Sequence, residues 1–155
     1  MRRMSLVRRI SLALAMMRST ATFALAGETP APDNAKVYFI DLKDGDTVTS
    51  PVLIRFGLSG MGIAPAGTEA PNTGHHHLLI DTPPLEGDAL NEAIPMDEQH
   101  VHFGKGQTEA SVTLSPGKHT LQLVLGDWSH IPHKTPVMSD RITVTVEGTT
   151  ASVKQ

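Results

Sequence analysis

Apolar positions along this chain recur in short, β-branched runs punctuated by Gly, Pro and Asp. Side chains on an extended strand alternate between two faces, so Val112 and Leu114 share a side, as do Leu121, Leu123 and Leu125, and again Ile142, Val144 and Val146. The pattern predicts strands over 36–41, 52–58, 76–81, 101–103, 107–114, 119–126 and 141–147. Turns are expected at Asp44-Gly45-Asp46 and Ser115-Pro116-Gly117, where Gly tolerates a positive φ and Pro presets its own. Helical periodicity is limited to one turn near 89–93. The expected fold is therefore all-β, an antiparallel immunoglobulin-like β-sandwich of about seven strands. Two stretches break the regular spacing: 60–74, rich in Gly, Ala, Pro and Thr, and 83–99, which carries Pro83-Pro84 and several acids. Long loops in a compact domain are often functional.

The N-terminal segment follows a different grammar. Arg2, Arg3, Arg8 and Arg9 precede an apolar stretch over 10–17, and Ala24-Leu25-Ala26 supplies a small-x-small cleavage site, so residues 1–26 read as a secretory signal peptide, although Arg18 interrupts its apolar part. A linker over 27–35, one domain over 36–147 and a tail over 148–155 follow. The apolar stretch falls short of the roughly 20 residues that span a bilayer, and no transmembrane segment is expected in the mature chain. Cleavage after Ala26 removes five of 13 basic residues and none of 16 acidic ones, leaving a formal charge of −8. Scattered cations on an acidic domain argue against nucleic acid and favour a metal ion, a small ligand or another envelope protein as partner. With no cysteine in the chain, disulfides, thiolate metal sites and cysteine nucleophiles are all excluded.

The eight histidines give the chemistry its focus. His75-His76-His77 opens a strand on which 75 and 77 point one way and 76 the other, and His100-Val101-His102 repeats the arrangement. Two imidazoles at i, i+2 can meet one ion, and a neighbouring strand can complete the set. His119 begins the Leu121 face and is placed at the core edge near the same end, while His130 and His133 lie in a loop after a strand. The candidate metal ligands are thus His75, His77, His100 and His102, with His119, His130 and His133 in reserve. Imidazoles without sulfur suit a copper or zinc ion, and Met96 or Met138 as thioether ligands would favour copper(I), though methionine more often fills packing gaps. The competing interpretation is a buried network in which the histidines hydrogen-bond one another and the main chain. Gly104-Lys105-Gly106 lacks Walker spacing and reads as a tight hairpin or bulge. Trp128 is expected as a core plug rather than a stacking platform.

The segments TGHHHLLID, HFGKGQTEA, LSPGKHTLQLVLGDWSHIPH and PVMSDRITVTV, in this order, resemble the DUF4399 family, a domain of exported bacterial proteins. The resemblance covers about 36–147 and implies one exported domain, with no catalytic residues to carry over. His100-Val101-His102-Phe103-Gly104 is also similar to a segment of copper–zinc superoxide dismutases, but the match stops there and that family's disulfide is impossible without cysteine. The expected function is an exported, periplasmic or secreted, domain that binds copper or zinc for buffering, carriage or sensing. A non-metal envelope interaction module built on the two long loops is the alternative. Catalysis is the less expected outcome, since G-x-S-x-G and HExxH patterns are missing from the sequence, and metal-assisted hydrolysis would require three histidines that leave an open coordination position. Clustered imidazoles would repel one another when protonated, so acid should weaken either a metal site or a neutral network.

Overall fold

The computed structural model describes residues 27–148; the signal sequence expected over 1–26 and the end of the tail, 149–155, lie outside them. Among the described residues nine strands form, in the order β1 Lys36–Ile40, β2 Thr47–Val48, β3 Val52–Ser59, β4 Gly62–Ile63, β5 Thr73–Ile80, β6 His100–His102, β7 Glu109–Val112, β8 Gly117–Gly126 and β9 Ile142–Val146. One short 3-10 helix, Gly87–Asn91, occupies the 83–99 loop near the predicted helical turn. The strands make two sheets, one ordered β1-β3-β7 and one ordered β2-β9-β8-β5-β4, with β6 also paired to β5.

The expected all-antiparallel pairing is corrected at two places. The two-residue strands β2 and β4 run parallel to β9 and β5, so the larger sheet is mixed. Two residues carry no readable period, which is why neither strand was visible in the sequence pattern.

The apolar alternation dictates how the sheets meet. Val37, Ile54 and Phe56 from the smaller sheet pack against Leu78, Leu121, Leu123, Leu125 and Val144 from the larger one. Even-numbered β5 residues face this core, and His76 goes with them, its ring centre 5.1 Å from that of Phe56. The odd-numbered side of β5 is not solvated as simple alternation implies. Leu79 joins Val124 of β8 beneath Leu85 and Ile94 of the 83–99 loop, forming a second, smaller apolar cluster. β5 and the C-terminal half of β8 are therefore buried on both faces, and the remainder of the odd side is left to histidines.

Among the described residues no helix is long and apolar enough to cross a membrane. Trp128 is 43% exposed, which overturns the expectation of a core plug: the residue follows β8 on a surface loop, and the inter-sheet space is already filled by aliphatic side chains together with Phe56 and Phe103.

Candidate metal centre

Register brings the two histidine motifs together. β5 and β6 pair antiparallel with His77 opposite His102 and Leu79 opposite His100. His75 and His77 share one face of β5, and His102 arrives beside them from the neighbouring strand. Each of these three residues offers a nitrogen within 4.8 Å of the other two. His75 and His77 are fully buried, and their Nε2 atoms stand 3.0 Å apart, one imidazole N–H donating to the other's lone pair. Two nitrogens bound to a tetrahedral ion by bonds of about 2.0–2.1 Å lie about 3.3 Å apart, close to this separation.

The network interpretation calls for satisfied imidazoles, and His75 and His77 meet it at one ring nitrogen each. His75 Nδ1, His77 Nδ1 and His102 Nε2 are buried without a hydrogen-bond partner. Buried polar atoms are paired in the great majority of cases, so these three are exceptions, and only the His102 atom is an Nε2 like the pair in contact on His75 and His77.

Protonation chemistry points the same way. Burial lowers the pKa of His75 to about 4, reinforced by the neighbouring His102 and His130 and opposed by Asp127. Burial first, then the adjacent imidazoles of His75 and His102, also push His77 far down. His102 is lowered by burial and by His130. The lone pairs that a metal requires are thus free at neutral and mildly acidic pH.

Glycines make room for the rings. A methyl group at Gly104 would overlap the His102 imidazole, and one at Gly126 would stand 2.9 Å from His77 Nε2. Gly104 was expected only to shape a hairpin; its missing side chain is part of the site. Gly104→Ala is expected to displace the His102 ring rather than the backbone, because the clash falls on the far end of a side chain. Zinc affinity should then fall by about tenfold or more while the circular dichroism spectrum stays unchanged, and undiminished affinity would remove Gly104 from the site.

Of the other candidate ligands, His130 alone has its ring against the trio. His100 shares the face of His102, but its Nδ1 is 2.8 Å from Asp97. His133 is buried with its two ring nitrogens 3.4 and 3.2 Å from the carbonyl oxygens of Leu125 and Thr73. Met138 packs on the Leu79 cluster, and Met96 is 66% exposed. His130 stands over the cluster, its ring centre 5.1 Å from His75 and 4.8 Å from His102.

His119 is at the other end of the larger sheet, not near the cluster as expected. β8 is ten residues long, and His75 pairs with Gly126 while Ile80 pairs with Leu121. There His119 Nδ1 lies 2.7 Å from Asp81 Oδ2, and its Nε2 lies 3.3 Å from Ser115 Oγ. The trio has the membership of a hydrolytic triad but not its chemistry. Nε2 also lies 2.8 Å from the Ser115 carbonyl oxygen, which can only accept, so the nitrogen needed as a base carries a proton.

This ion pair sets a pH dependence. Burial opposes the charge on His119 but is outweighed by hydrogen bonds to Asp81 and Ser115, which raise its pKa. Burial likewise opposes ionisation of Asp81 and is outweighed by the Thr120 amide and His119, which lower it. The stabilisation from His119 is complete below pH 6.5 and fades as pH rises through its raised value. That from Asp81 is present above 3.8 and fades as pH falls through its lowered value. The melting temperature of Asp81→Asn should therefore trail the parent most between these limits; a gap that widens above pH 8 would contradict the pairing.

Residues 54–147 match the model of a family described as a domain of unknown function, DUF4399. The chain belongs to the DUF4399 family. The matched part of this DUF4399 domain runs from β3 to β9 and includes every histidine of the cluster, whereas β1 and β2 precede it. Comparison of the DUF4399 chain with curated proteins and with solved structures finds no match.

Proposed function

We propose that this DUF4399 domain binds one copper or zinc ion through His75, His77 and His102, and that it serves to buffer, carry or sense that metal outside the cytoplasm. The observation that carries the proposal is the trio of imidazoles, two of them fully buried, that brings one nitrogen from each within 4.8 Å of the others. Uncharged nitrogen ligands without sulfur suit zinc and copper(II). Export to a periplasmic or secreted location is supported by the leader pattern over 1–26.

An immunoglobulin-like reading of the fold is supported by the strand order. β1-β3-β7 corresponds to strands A, B and E, and β9-β8-β5 to G, F and C, of that sandwich. The metal site then sits on the outer face of the C strand rather than in the loops at the sandwich ends. Isothermal titration of the untagged mature domain with zinc and with copper(II) tests the function. One ion per chain at micromolar affinity or better is expected; a folded protein that takes up neither would end the proposal.

A further inference from the structure

The three strand-borne ligands leave one coordination position to be filled, and His130 stands beside it. We infer that His130 is the fourth ligand and that the bound ion is coordinatively saturated by imidazole. This inference rests on the metal-binding proposal above and adds to it the coordination number and the class of chemistry.

The first support is the arrangement of the rings. The separations between the ring centres of His75, His77, His102 and His130 are 4.9, 5.0, 5.1, 5.0, 6.1 and 4.8 Å. Imidazoles bound tetrahedrally through nitrogen have ring centres about 3.2 Å from the ion, hence about 5.2 Å from one another. A square-planar set would give four separations near about 4.5 Å and two near about 6.4 Å. Five similar distances and one longer one fit the tetrahedron better. His130 is outside the group whose nitrogens already converge, so its ring must turn to bind.

The second support is independent of the rings. His130 has φ of 72°, in the left-handed region that non-glycine residues occupy at a cost of about 1–2 kcal/mol. The conformation is held from both sides. Its N–H donates to the Asp127 carbonyl at 3.0 Å, and its own carbonyl accepts from Ile94 N–H at 2.9 Å. Strain that the surroundings maintain is characteristic of residues placed for a ligand.

A fourth imidazole excludes the open position that metal-activated water requires, so the site holds or transfers its ion and does not hydrolyse. Cobalt(II), a spectroscopic substitute for zinc, tests this directly. The wild-type domain should take up one cobalt ion with the intense visible bands of a tetrahedral complex, unchanged by added azide. His130→Ala should bind cobalt at least about tenfold more weakly and give a spectrum that moves with azide. His130→Asn, which tolerates the left-handed backbone, should behave the same and guards against a folding artefact. An azide-sensitive wild type, or variants that match it in affinity and spectrum, would overturn the fourth-ligand role while leaving the three-histidine site standing. A wild type that takes up no cobalt overturns both.

Discussion

Replacing His77 with alanine is expected to reduce zinc or copper(II) affinity by at least about 100-fold, to the level of adventitious binding. His77 is fully buried, holds the 3.0 Å contact to His75 and pairs across the ladder with His102, so its loss breaks the group of converging nitrogens. Removing His77 breaks the trio whose nitrogens already converge, and the imidazoles that remain, of which only His75 and His102 belong to that trio, hold a divalent ion far less tightly at neutral pH. The fold should survive. His77 points away from the inter-sheet core, and the substitution also deletes a buried nitrogen that has no partner. His75→Gln provides a second variant of similar bulk, and His119→Ala a control that removes an imidazole from the opposite end of the sheet. If the His77 and His75 variants both retain the parent's affinity, the ion is bound elsewhere.

The second large effect is on stability. Asp127 is 4% exposed and acts as a clasp on the loop that carries His130. Its Oδ1 accepts from the Ser129 amide, the Ser129 hydroxyl and the Ile131 amide at 2.9, 3.0 and 3.0 Å, and its Oδ2 from the Thr29 hydroxyl at 2.6 Å. Burial would raise its pKa, but the Thr29 hydroxyl and the Ile131 and Ser129 groups outweigh it, so the carboxylate stays ionised. Asp127→Ala orphans several donors at once and is expected to cost about 3 kcal/mol. For a domain of this size the thermal midpoint should fall by about 10 °C or more. Asp127→Asn keeps one acceptor and should cost clearly less. A drop under about 2 °C for the alanine variant would show that the loop holds its shape without the carboxylate.

How far the sequence foretold these features depended on whether a periodic signal was present. The long strands were legible, since β3, β5, β8 and β9 each run five residues or more with alternating or continuous apolar character. The pairing of His75 and His77 on one face followed from period two alone. That a neighbouring strand could complete the set was legible too, but the register that sets His102 opposite His77 is encoded in no local pattern. His119 shows the limit: its face was read correctly from alternation, but which end of the sheet it would occupy depends on strand pairing. Gly104 and Gly126 were missed as parts of the site because a glycine beside a histidine has no distinct signature until the ring is seen filling the space of its absent side chain. The outer apolar cluster was missed for a related reason, as Leu85 and Ile94 are isolated apolar residues in a polar loop.

β5 divides its labour by parity. Leu78 and Ile80 anchor the interior, while His75 and His77 on the reverse side hold the chemistry. On the proposed metal-binding reading, a strand built this way lets metal preference be re-engineered without refolding: softer donors installed at 75 or 77 would shift selectivity toward monovalent copper, and the residues that keep the sheets together would not register the change.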